Sequence, residues 1–261
     1  MLKKVLDIVR QAAGLMVTDR FEIEQKDGLS NIVTTSDLEV QHFLCRRLKE
    51  LLPGSGFICE EEDFHDPEHE YVWVIDPIDG TCNYSRGMDC CCISVALKKA
   101  DTVIIGVVYS PARNELYYAE KGRGAFLNGK PIHVSDRTFE NGLMCTALGL
   151  YVKQYSDVSS AVIMEAYPQC NDVRRFGSAA LELCFLAAGK CELYYEFRLC
   201  PWDYAAGMLI LTESGGSISG LGGKALNCDI PELVCAANTP SNHKRLLTII
   251  SHHITSLPYN D

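Results

Sequence analysis

Apolar residues recur at helical spacing at the start of the chain, where Leu2, Val5, Leu6, Val9, Ala12, Ala13 and Met16 fall on one face. That pattern predicts an amphipathic helix over residues 2–16. A second helix is predicted from Ser36, an N-cap with Glu39 three residues on, through Val40, Phe43, Leu44 and Leu48 until Pro53 and Gly54 stop it. "GFICEEE" then reads as a short strand running into acids, and "YVWVID" as a buried strand that ends at Asp76. From 92 to 135 the period changes to that of hairpins: "CISVALKK", "TVIIGVVYS", "ELYYAEKG" and "GAFLNGKPIHVS" are β-rich runs broken by Pro111, Arg113-Asn114 and the Asn128-Gly129 turn. They predict a mostly antiparallel sheet. The second half alternates again, with a helix from Ser178 to Ala188, a strand at "CELYYEF", a helix from Trp202 to about Ser214, a strand at "ELVCAAN" and a last helix near Ser241. This order predicts an α/β (α+β) fold of layered sheets between helices, in two packed subdomains, 1–140 and 141–261, with no Gly- or Pro-rich linker between them.

Composition narrows the classes. With 261 residues and 47% hydrophobic content, the chain buries most of its apolar surface and disorder is excluded. A net charge of −10 repels phosphate backbones, so a dedicated nucleic-acid binder is not expected. No apolar run approaches the roughly 18 residues needed to cross a bilayer. Asp7 and Arg10 interrupt the N-terminal stretch where a secretion signal needs an unbroken apolar run. The expectation is a cytoplasmic protein without a membrane span. Thirteen cysteines, an odd number that includes the run Cys90, Cys91, Cys92 and contains no C-x-x-C, read as small buried hydrophobes in a reducing compartment. His65 and His69, in "HDPEHE", read as part of a solvated loop.

The acids supply the candidate chemistry. Glu60, Glu61 and Glu62 lie at one strand end, Asp76 and Asp79 at another, and Asp203 follows Pro201-Trp202 at a helix start. Hard cations such as Mg²⁺ take oxygen ligands, accept one or two carboxylates each and commonly sit with substrate phosphates. In "WVIDPIDGTCNY" the Asp-Gly pair is also ordinary turn chemistry, so the segment reads either as a strand ending in a turn or as a metal site. If a helix begins at the bend, Gly80 and Thr81 offer backbone N–H groups to an anion.

"WVIDPIDGTCNY", "FICEEE" and "PWDYAAGMLILTESGG" together resemble the inositol monophosphatase family of metal-dependent, lithium-sensitive phosphatases. "NIVTTSDLEVQ", "RRFGSAALELC" and "ELYYE" extend the likeness over most of the chain. The resemblance implies a layered α-β-α-β-α sandwich of the sugar-phosphatase type, a homodimer, and two or three Mg²⁺ ions per site. Carried over position by position, it implies that Glu60, Asp76 and the Ile78 carbonyl bind one ion, and that Asp76, Asp79 and Asp203 hold a second. Thr81, oriented by Asp37, would position a water together with Glu60 or Glu61. Gly80 and Thr81 would cradle phosphate, and Gly177, Ser178 and Ala179 would line the ring and phosphate edge. Glu196 would accept hydrogen bonds from ring hydroxyls, or is an exposed acid at a strand end. Lys26 would steer phosphate, or is a solvated lysine.

The implied activity is hydrolysis of a small phosphate ester, inositol monophosphate first. Fructose-1,6-bisphosphate or 3′-phosphoadenosine-5′-phosphate, split by members of the same family, are the enzymatic alternatives. A binding partner of RNA polymerase or of ribosome assembly is the alternative of another class. Cys59 stands where the family usually has glycine, and Cys82 and Tyr84 follow the D-G-T in place of commoner residues. Cys82 beside the site implies sensitivity to oxidation or soft metals.

Overall fold

The computed structural model describes residues 1–16, 21–25, 32–61, 65–148 and 155–254. The first half comprises α1 (Leu2–Ala13), β1 (Ile23–Gln25), β2 (Ile32–Thr34), α2 (Thr35–Leu51), β3 (Gly56–Cys59), β4 (His65–Asp66), β5 (Tyr71–Asp79), α3 (Thr81–Tyr84), β6 (Cys92–Lys99), β7 (Thr102–Ser110), β8 (Glu115–Glu120), β9 (Ala125–Leu127) and β10 (Lys130–Ile132). The second comprises β11 (Leu143–Thr146), α4 (Ser156–Ala166), β12 (Asp172–Arg174), α5 (Ala179–Ala187), β13 (Leu193–Leu199), α6 (Pro201–Glu213), β14 (Ser217–Ser219), β15 (Glu232–Ala237) and α7 (Pro240–His253).

Strand alternation builds the layers. Along β5, Trp73 and Ile75 join Phe57 and Val95 in packing against Val5, Val9, Val40 and Leu44 of α1 and α2. Val72 and Val74 point the other way, into a core shared with α5 and α6. The same period of two splits β13: Tyr194 joins the α5–α6 core, whereas Leu193, Tyr195 and Phe197 pack under α4 and α7. The result is five layers: α1 and α2, an eight-stranded sheet, α5 and α6, a five-stranded sheet, and α4 and α7. The expected α-β-α-β-α sandwich is borne out. The strand orders are β10-β9-β8-β7-β6-β5-β3-β4 and β12-β11-β13-β15-β14. From β5 to β10 every pairing is antiparallel, as the hairpin pattern indicated. The β9–β10 turn is made by Asn128 and Gly129, both at positive φ. Among the described residues, no helix is long and apolar enough to cross a membrane.

Three boundaries differ from the sequence reading: β5, expected to end at Asp76, runs on to Asp79, and the first two helices are shifted. The first helix stops at Ala13, and Leu15 and Met16 reach the same core from the turn beyond it. The second starts two residues earlier than expected, because its capping box is Thr34 with Asp37 and not Ser36 with Glu39. The Asp37 carboxylate accepts the Thr34 N–H at 2.8 Å and also the Thr34 hydroxyl. That shift leaves Asp37 buried and facing inward.

Candidate active site

The strand β5 ends in an irregularity. Its register against β6 breaks between Asp76 and Asp79, at Pro77, which has no N–H to give to the ladder. Both carboxylates turn toward the first turn of α6, where Asp203 sits three residues past the N-cap and accepts the Cys200 N–H at 2.7 Å. One oxygen each from Asp76, Asp79 and Asp203 lies within 4.8 Å of the others. All three side chains are buried, and Asp76 Oδ1 has no hydrogen-bond partner. Burial and then the neighbouring Glu60, Asp79 and Asp203 carboxyls push Asp76 well above the usual carboxylate range. Burial and the Asp79 charge do the same to Asp203. Burial lifts Asp79 to about 6, against the hydrogen bonds it accepts from the Ser178 hydroxyl at 2.6 Å and the Ala180 N–H at 2.8 Å.

Three carboxyl groups this close resist common ionisation unless a cation compensates them. Hard oxygen donors, one of them buried and unpaired, fit a hard divalent cation. The Glu60 carboxyl lies near enough to the trio to help push Asp76 upward. Glu61 is buried and held by its backbone, whose N–H donates to Gln41 Oε1 at 3.0 Å. The Thr81 hydroxyl lies 3.0 Å from the Ile78 carbonyl and 3.3 Å from Asp37 Oδ1, so the two ends of the metal loop and the start of α2 meet at one proton. Gly80 has φ +88, and a Cβ there would lie 2.8 Å from the Cys90 carbonyl oxygen, so only glycine fits.

An open hollow shared with Asp79 and Asp203 is lined by Gly80, Thr81, Cys82, Gly177, Ser178, Ala179, Glu182 and Glu196. Glu196 is buried, not exposed at a strand end. The Tyr194 hydroxyl donates to its Oε2 at 2.7 Å, while Oε1 has no partner. Burial, and then the nearby Glu182, raise its carboxyl to about 8. Cys82 is exposed, with its sulfur 3.0 Å from Arg86 Nη1. Cys59 is buried, 3.7 Å from Cys45 Sγ. Lys26 and Glu62 lie outside the described residues. Two site residues escaped the sequence reading, Asn83 and Glu182. Asn83 Nδ2 donates to the carbonyls of Cys90 (2.8 Å) and Phe176 (2.6 Å). Glu182 Oε1 accepts the N–H groups of Phe176 (2.7 Å) and Gly177 (2.9 Å). The only sequence signal for Glu182 was an acid within an otherwise apolar helix.

A carboxylate trio at the end of β5 and the start of α6, able to hold a metal ion, fits the class of metal-dependent phosphatases that the sequence resemblance implied. More particularly, the chain belongs to the inositol monophosphatase family, whose model matches residues 1–255, and the resemblance read from the sequence is borne out. The Thermotoga maritima protein named fructose-1,6-bisphosphatase/inositol-1-monophosphatase is 36% identical over 205 residues, 78% of this chain and 77% of its own. Nus factor SuhB of Escherichia coli K12 is 33% identical over 226 residues, 84% of each chain. Among solved structures, a Thermotoga maritima IMPase superposes with a TM-score of 0.86 at 32% identity over 96% of both chains. SaIMPase-II with inositol monophosphate bound superposes at 0.81 and 25% identity, over 97% of this chain and 95% of that one.

Proposed function

We propose that this protein is a Mg²⁺-dependent phosphomonoesterase that hydrolyses inositol monophosphate to inositol and inorganic phosphate. The observation that carries the reading is the meeting of Asp76, Asp79 and Asp203 around the unpaired Asp76 Oδ1. Glu60, Asp76 and the Ile78 carbonyl would hold one ion, and Asp76, Asp79 and Asp203 another. Bound there, Mg²⁺ supplies charge neutralisation for the phosphate and leaving oxygens and lowers the pKa of water.

The chain's own groups do the rest. Thr81 Oγ1, tied to Asp37, orients the attacking water, and Glu60 or Glu61 takes its proton. In-line attack on phosphorus breaks the bond to the inositol oxygen, which departs as an alcohol after protonation, with no covalent phosphoenzyme. The Gly80–Thr81 turn and the Gly177, Ser178 and Ala179 edge hold the phosphate, with Lys26 steering it inward. Glu196 Oε1, buried and unpartnered beside the hollow, takes a ring hydroxyl. In the same reading the enzyme is a lithium-sensitive, cytoplasmic homodimer of two packed subdomains, 1–140 and 141–261.

A second reading, hydrolysis of fructose-1,6-bisphosphate, is favoured by the double name of the Thermotoga maritima relative. The relatives named Nus factor favour an added role as an RNA polymerase partner. A Mg²⁺-dependent phosphate-release panel over inositol monophosphates, fructose-1,6-bisphosphate and adenosine 3′,5′-bisphosphate tests the assignment. Highest kcat/KM on inositol monophosphate supports it, and a higher value on either of the others replaces it.

A further inference from the structure

The turn that precedes α5 is gripped from two sides. Glu182, buried in the first turn of that helix, accepts both the Phe176 and the Gly177 N–H through the single oxygen Oε1. Asn83 Nδ2 holds the Phe176 carbonyl from the other side and, through the Cys90 carbonyl, ties the turn to the segment following the metal loop. Between them Gly177 takes φ +78, and a Cβ there would come within 3.2 Å of Asn83 Nδ2. The next residue, Ser178, caps α5, and its hydroxyl and the Ala180 N–H both bond Asp79 Oδ2. Glu182 is therefore linked to Asp79 by hydrogen bonds at either end of the short backbone stretch 176–180.

We propose that Glu182 is a positioning residue of the metal site: by anchoring both N–H groups of the 176–177 turn, it fixes Ser178 and the start of α5 so that Asp79 Oδ2 stays engaged with the protein and the carboxylate faces Asp76 and Asp203. This rests on Asp79 as a metal ligand. The role belongs to the reach of an acceptor oxygen and not to a charge, because an amide oxygen in the same place accepts the same two N–H groups.

The test uses the full chain and Mn²⁺ alone, titrated calorimetrically without substrate into wild type, Glu182→Leu, Glu182→Gln and Gly177→Ala, with thermal midpoints in EDTA as the check on folding. Groups that orient metal ligands typically carry 10–100-fold in affinity, so Glu182→Leu is expected to weaken Mn²⁺ binding about ten-fold. Gly177→Ala follows it, and Glu182→Gln restores affinity to within about two-fold of wild type. Turnover of p-nitrophenyl phosphate by Glu182→Leu then recovers when Mn²⁺ is raised to saturation, a rescue that a generally damaged fold would not show. If Glu182→Leu does not fold, Gly177→Ala and Glu182→Gln decide the question. Wild-type affinity in Glu182→Leu or in Gly177→Ala overturns the proposal, as does a loss in Glu182→Gln equal to that in Glu182→Leu. Absence of Mn²⁺ binding by the wild type removes the metal reading itself, a different outcome from wild-type binding that the variants leave unchanged.

Discussion

Replacing Glu196 by Gln should make the metal-free protein more stable and its substrate binding weaker. Glu196 is buried at the wall of the hollow, and burial together with the neighbouring Glu182 raises its carboxyl from 4.5 to about 8. Between those values the folded chain keeps a proton that the unfolded chain has released, so the unfolded state binds fewer protons and stability falls as pH rises. At pH 7 the gap is about 2.5 units, which at 1.36 kcal/mol per unit is about 3 kcal/mol of destabilisation. Gln removes this titration while its amide oxygen still accepts the Tyr194 hydroxyl. For a chain of this size, about 3 kcal/mol corresponds to a rise of about 6–12 °C in Tm. The assay is thermal unfolding in EDTA at pH 5 and pH 7 for both proteins. The expected result is a large gain at pH 7 that shrinks to a small one at pH 5, together with a flatter pH dependence in the variant. An equal Tm shift at both pH values, or a loss of stability at pH 7, would refute the reasoning. In the same variant KM for inositol monophosphate should rise, while p-nitrophenyl phosphate, which has no ring hydroxyls to recognise, is hydrolysed as before.

Further consequences concern the loop and the thiol beside it. Asp79→Asn or Asp203→Asn should cut kcat by several orders of magnitude with the circular dichroism spectrum unchanged, because each removes an anionic ligand; near-normal turnover in either removes that ligand assignment. Gly80→Ala should cost about 2 kcal/mol or more in chemical denaturation, since the residue has φ +88 and its Cβ would press on the Cys90 carbonyl; a midpoint equal to wild type would show that the loop relaxes at little cost. Iodoacetamide should alkylate Cys82 before the buried cysteines, as it is exposed at the edge of the hollow, and should slow turnover in wild type but not in Cys82→Ser. Full activity of protein labelled at Cys82 would separate this thiol from the site.

Much of this architecture was legible in the residue pattern because strand alternation is local. "YVWVID" and the hairpin runs announced the central strands of the eight-stranded sheet, and the Asn128-Gly129 turn fell where it was expected. The metal-site aspartates were legible because two of them share one strand end and the third opens a helix. Other features were hidden by specific chemistry. Two overlapping cap patterns compete at the start of α2, and the one that wins, Thr34 with Asp37, uses the shorter acid; Asp37 is buried there, and burial is not a local property. The helix α4, "SDVSSAVIMEA", carries only a weak apolar stripe and went unanticipated, as did the short strands β11, β12 and β14. Asn83 meets Phe176 across 93 positions of sequence, a contact that no spacing rule reports. Glu182 looked like an interruption of an apolar helix and is instead the anchor of the turn before it.

Diffraction from crystals soaked in Mn²⁺, with anomalous maps calculated at the manganese edge, tests the central claim most directly. The expected result is an anomalous peak among Asp76, Asp79 and Asp203 at about 2.1 Å from their carboxylate oxygens, with Asp76 Oδ1 among the ligands. A map with no peak there, from crystals of protein that hydrolyses phosphate esters in the same Mn²⁺ buffer, would contradict it.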